Sequence, residues 1–76
     1  MNADKVKELL QKAGVSVDVS MITDNDQPLR EHYGLDSLDM FNVFLEFQES
    51  TGRAVPESDV EGLRTINDFV KYFGQQ

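Results

Sequence analysis

Apolar residues recur at helical spacing in three stretches of the chain. Val6, Leu9, Leu10 and Ala13 mark a helix over about residues 3–13. Asn2 or Asp4 can cap its start, and Gly14 is placed to stop it. A second helix is predicted from Ser37 to Ser50 or Thr51, with Asp36 as N-cap. Thr51-Gly52-Arg53 ends it, and Val55-Pro56 then forces an extended link. A short helical turn fits residues 57–62 and buries Val60 and Leu63. The last helix opens at Thr65, with Asp68 three residues on as an imperfect capping box. Ile66, Phe69, Val70 and Phe73 share one of its faces, and Gly74 stops it.

Residues 15–36 follow another pattern. Val15, Val17, Val19 and Met21 alternate with polar residues, which is a strand signal. No second alternating run exists to pair with it, so the segment reads as a long loop that tucks in apolar side chains. Asp24-Asn25-Asp26-Gln27-Pro28 is a turn-rich stretch within it. Loops of this length in a small domain are often functional. The expectation is an all-α fold: one domain over residues 1–76, a small four-helix bundle with three main helices, one short helix and a long first connection.

On a wheel of about 100° per residue the second helix divides into three sectors. Met40, Val43, Phe44 and Phe47 face the core, with Thr51 ending the stripe. Asp39, Asn42, Glu46, Glu49 and Ser50 are polar. Leu38, Phe41 and Leu45 form a second apolar stripe, which admits two readings: a wide buried face under the loop, or an exposed binding surface rimmed by charge. If Phe44 is fully buried, Phe44→Ala should cost roughly 3–5 kcal/mol.

Composition narrows the functional classes. A chain of 76 residues builds one small core. It has no cysteine, which excludes disulfides, thiolate metal sites and thiol catalysis. No basic region precedes an apolar run at the N-terminus, and no stretch is long enough to cross a bilayer, so a cytoplasmic protein is expected. The net charge of −7, from fourteen acids and seven bases, disfavours nucleic acid and anionic membranes and suits basic protein partners. Residues 36–68 hold Asp36, Asp39, Glu46, Glu49, Glu57, Asp59, Glu61 and Asp68 against Arg53 and Arg64. This cluster serves solubility, or a docking surface after Ser37. A monomer is expected.

Candidate chemistry converges on Gly34-Leu35-Asp36-Ser37-Leu38-Asp39. Hydrolysis needs a serine with an oriented base. His32 is the only histidine, and no Gly-x-Ser-x-Gly elbow is present. Asp24, Asp26 and Glu31 hint at a calcium loop, but Pro28 and Leu29 stand where a ligand and a glycine belong. Neither a catalytic nor a metal site is expected. Covalent modification remains, because the free amides at a helix start favour a phosphoryl group on Ser37. An ordinary first-turn serine fits the same pattern.

The motif resembles the 4′-phosphopantetheine attachment sequence of acyl carrier proteins. The length, the acidity, Val55-Pro56 and Thr65 are similar to that family as well. The resemblance implies that Ser37 carries phosphopantetheine, transferred from coenzyme A by a phosphopantetheinyl transferase, and that the chain shuttles substrates and is not an enzyme. It implies that the second helix is read by basic patches on acyl-loading, condensing and other acyl-transfer enzymes. Asp36 and Asp39 match acidic positions beside the serine, and Leu38, Phe41 and Leu45 match positions near the arm. Glu49, Glu57, Asp59 and Glu61 extend the acidic face.

The chain also departs from the family pattern. His32-Tyr33-Gly34 replaces a common Asp-Leu-Gly, and Leu29 stands where an aromatic is frequent. Asn42 and Gln48 replace acids, and Thr51 replaces a core aromatic. These departures favour a specialised carrier over a housekeeping fatty-acid one; the function expected is delivery of acyl intermediates in fatty-acid, lipid or polyketide-type biosynthesis. An aminoacyl or peptidyl carrier is one alternative, and a non-covalent adaptor working through Leu38, Phe41 and Leu45 is another.

Overall fold

The computed structural model describes residues 1–74, and among these the secondary structure is helical without strands. Helix α1 spans Ala3–Ala13, α2 Ser37–Thr51, α3 Glu57–Val60 and α4 Ile66–Gly74, with a 3-10 turn at Val19–Met21. The expected fold class holds, and α3 is shorter than the expected 57–62.

The helix ends follow from local chemistry. Asn2 Oδ1 accepts from the Lys5 amide at 2.9 Å and starts α1, which Gly14 closes. Asp36 starts α2 and Gly52 closes it. At α4 the box is reciprocal: Thr65 N–H donates to Asp68 Oδ2 at 3.1 Å and Asp68 N–H to Thr65 Oγ1 at 3.0 Å. The shorter aspartate closes the box as a glutamate would.

Helix α1 packs against both α2 and α4. Val6, Leu9 and Leu10 meet Val43 and Phe47 of α2 and Ile66, Phe69 and Phe73 of α4 in one buried core. Phe47 stacks on Phe69 at 4.7 Å between ring centroids and on Phe73 at 4.8 Å. Offset aromatic contacts of this kind add to the area each ring removes from water. Phe44 is only half-buried, 5.8 Å from Phe69. It lies on the side of the core stripe nearest Phe41, so solvent reaches it, and the expected cost of Phe44→Ala falls accordingly.

The long loop seals the open end of the core with Ile22, Leu29 and Leu35, all buried. Its alternation is broken by the 3-10 turn, where Asp18 caps the Ser20 amide at 3.0 Å. The change of period turns Ile22 inward and leaves Met21 68% exposed, against the expectation that it would tuck in. Two backbone bonds fasten the loop to the start of α4. Leu29 N–H donates to Arg64 O at 2.8 Å, and Asn67 N–H donates to Asn25 O at 3.1 Å. No helix among the described residues is long and apolar enough to cross a membrane.

Candidate functional site

Residues 28–36 deliver Ser37 to the start of α2. His32 N–H bonds back to Pro28 O at 2.9 Å, and Gly34 N–H to Arg30 O at 3.1 Å, so the chain makes a helical turn before the motif. Gly34 then takes φ +82°, a left-handed conformation that a side chain strains. That reversal lets Leu35 bury beside Leu29 while Asp36 and Ser37 emerge into solvent.

Ser37 is the first residue of α2. Asp36 Oδ1 accepts from the Asp39 amide at 2.8 Å, and Asp39 Oδ2 accepts from the Asp36 amide at 3.2 Å. The capping box therefore uses the Asp39 amide and leaves those of Ser37 and Leu38 as open donors at the positive end of the helix. The Ser37 hydroxyl is exposed and accepts one hydrogen bond, from Arg30 Nη2 at 3.1 Å.

Asp39 is placed differently from the expectation of a solvent-facing acid. It is buried, 8% exposed, and its carboxylate turns inward. Beside the Asp36 amide it accepts from Ser16 Oγ at 2.8 Å and from the Ser16 amide at 3.3 Å. The Ser16 hydroxyl holds its carboxyl below the ordinary range; burial works against this, and the two amides add to the lowering. Asp39 braces the loop against α2, and its oxygens are not turned toward a partner.

The second apolar stripe of α2 is open to solvent: Leu38 is 66% exposed, Phe41 59% and Leu45 45%. The loop covers the opposite side of the helix start through Ser16, so the wide-buried-face reading fails. The acids separate by face. Glu57 lines a groove with Phe41, Leu45 and Val60, and Glu61 lines a second one with Arg30, Met40 and Phe44. Glu57 and Glu61 are about one helical turn apart and look toward α2. Asp59 lies between them and turns away, accepting from the Tyr72 hydroxyl at 2.7 Å. That carboxylate raises the Tyr72 phenol, because it favours the protonated donor. Asp36 and Glu49 are exposed on α2 or at its cap.

His32 and the acids of the loop are engaged locally. The His32 ring meets Tyr33 edge-on at 4.6 Å, and the group at the serine oxygen is a guanidinium, which is no base. Asp24 binds the Asp26 amide, Asp26 binds the Asn67 side chain, and Glu31 pairs with Arg64 at 3.1 Å. These acids serve the loop, and among the described residues no three potential ligands stand together.

Two residues at this site, Arg30 and Ser16, went unnoticed in the sequence. Arg30 lies seven positions before Ser37, and Ser16 twenty-three before Asp39. Seven residues is about two helical turns, but the left-handed Gly34 breaks the helix between Arg30 and Ser37, and no period links Ser16 with Asp39, so only the path of the loop joins each pair.

An exposed hydroxyl, open amides and a neighbouring cation form a surface suited to an anionic substituent on Ser37. Residues 4–73 match the family model described as the phosphopantetheine attachment site.

Proposed function

The chain belongs to the phosphopantetheine attachment site family, and from that premise we propose that it is an acyl carrier protein whose arm is anchored on Ser37. The family attaches 4′-phosphopantetheine covalently, and its members act as carriers. The arm supplies the thiol that this cysteine-free sequence lacks, as a thioester site activated for acyl transfer. The observation that carries the proposal is the exposed Ser37 hydroxyl at the first turn of α2, inside the matched span.

Each neighbouring group has a part. Asp36 fixes the helix start that presents the hydroxyl. Asp39 and Ser16 hold that start against the loop. Among the described residues no base touches the Ser37 oxygen, and the base for attachment is assigned to the transferase. There the serine Oγ–P bond forms, the pyrophosphate linkage of coenzyme A breaks, adenosine 3′,5′-bisphosphate leaves, and the hydroxyl proton passes to that base.

Leu38, Phe41 and Leu45, flanked by Asp36, Glu49, Glu57 and Glu61, form the face on which the transferase and acyl-processing enzymes dock. Such contacts are steered by charge and weaken with salt. A tethered cargo gains effective concentration at each docked enzyme. The cargo proposed is an acyl chain of fatty-acid, lipid or polyketide type; an aminoacyl cargo would use the same anchor.

Incubation with coenzyme A and a broad-specificity phosphopantetheinyl transferase should add one phosphopantetheine mass to the wild-type protein and none to Ser37→Ala. Ser37 is exposed and is not the cap, so Ser37→Ala should fold normally. An unmodified wild type, with undiminished partner capture by Ser37→Ala, would favour a non-covalent adaptor built on the Leu38–Phe41–Leu45 face. A mass increase retained in Ser37→Ala would place the anchor elsewhere.

A further inference from the structure

The Arg30 guanidinium stands at the Ser37 hydroxyl. Lys5 and Lys12 pair with Glu8, and Arg64 pairs with Glu31. Arg53 lies 4.5 Å over the Tyr72 ring and donates to the Tyr72 carbonyl. Among the described residues Arg30 enters no ion pair, and its side-chain bond is to a neutral oxygen, Ser37 Oγ, at 3.1 Å. Glu31, which feels the Arg30 charge, is held by Arg64; Asp36 is held by the Asp39 amide, and Asp39 by Ser16 and the Asp36 amide; Glu61 lines the same groove as Arg30 without forming an ion pair with it.

A guanidinium is a planar fork of five donors whose best acceptors are carboxylate and phosphate. Esterification of Ser37 replaces its O–H by an O–P bond. The phosphodiester formed carries one negative charge, on oxygens attached to the atom next to the one Arg30 already touches. The same charge meets the open amides of Ser37 and Leu38 on its other side.

We infer that Arg30 is an internal clamp for the arm's phosphodiester, neutralising it and fixing where the arm leaves the protein. The inference rests on Ser37 being the anchor. Arg30 also borders the groove floored by Met40, Phe44 and Leu63, with Arg64 on the same rim. An arm clamped at Arg30 begins beside that groove and leaves the Leu38–Phe41–Leu45 face clear for partners. In the unmodified protein the same guanidinium takes up one of the two lone pairs of the exposed hydroxyl oxygen.

The test compares wild type, Arg30→Gln and Arg30→Lys, each loaded by a phosphopantetheinyl transferase and checked by intact mass. The ³¹P resonance of the wild-type phosphodiester should be displaced from that of a free serine phosphopantetheine ester. The displacement should collapse in Arg30→Gln and survive in part in Arg30→Lys, which keeps the charge without the fork. Loading should raise the wild-type Tm by roughly 2–5 °C, and by less than half as much in Arg30→Gln. Full loading with the same ³¹P position and the same Tm gain in both proteins overturns the clamp and leaves the anchor standing. Failure of the wild type to load overturns the anchor itself. A salt titration of loaded wild type reads the contact without any variant: the ³¹P position should move toward the free ester as ionic strength rises, and indifference to salt sinks the clamp.

Discussion

Phe47→Ala will destabilise the fold by roughly 3–5 kcal/mol, a large share of the stability expected of so small a domain. Phe47 is wholly buried and is the ring on which Phe69 and Phe73 both stack, at 4.7 and 4.8 Å. Its removal leaves a cavity between α2 and α4 that neither neighbour fills without leaving its own contacts with α1. Phe44→Ala removes the same atoms from a partly buried site at the margin of the core and should cost less. Chemical denaturation of the two variants reads the difference directly. A cost below about 1 kcal/mol for Phe47→Ala, or equal costs for both variants, would show that the core is not centred on Phe47.

Asp39→Ala should cost roughly 2–3 kcal/mol at neutral pH, because it strands amide donors of Ser16 and Asp36 that now meet a carboxylate. Asp39→Asn keeps one acceptor oxygen and should lose less. The pH dependence has a definite sign. The native carboxyl titrates below its ordinary value of 3.8, so its contribution is present in full above that value. The contribution fades as pH falls past 3.8 and is gone below the depressed native value. Asp39→Asn carries no such titration. The stability gap between wild type and Asp39→Asn should therefore be widest near neutrality and close in acid. A gap that stays constant from pH 7 to pH 2 would mean that Asp39 contributes by shape and not by charge.

Local rules made most of the fold legible. Asn2, Asp36 and Thr65 announced their helices because a cap needs only its own next few residues, and Gly14 and Gly52 closed theirs for the same reason. The attachment motif was legible because its residues are contiguous. The wheel placed Val43 and Phe47 correctly but put Asp39 on the solvent side, since a periodic average cannot see a loop laid across the first turn. It set Phe44 beside Phe47, although one lies at the margin of the buried stripe and the other at its centre. The exposure of Leu38, Phe41 and Leu45 was open in the sequence because it depended on where the loop runs. Arg30 and Ser16 were hidden for that reason too.

The two backbone bonds that fasten the long loop to the α4 start also set how this protein opens. Leu29 N–H and Asn67 N–H are tied to carbonyls far away in sequence, outside any helical ladder. A sub-global opening in which the strap of residues 25–35 lifts as a unit would break both at once, short of unfolding α1, α2 and α4. Such an opening would take Arg30 from the Ser37 oxygen and bare Leu29 and Leu35, while Ser16, outside the strap, keeps its hold on Asp39 and the first turn of α2. The serine therefore sits where the strap meets the braced start of α2.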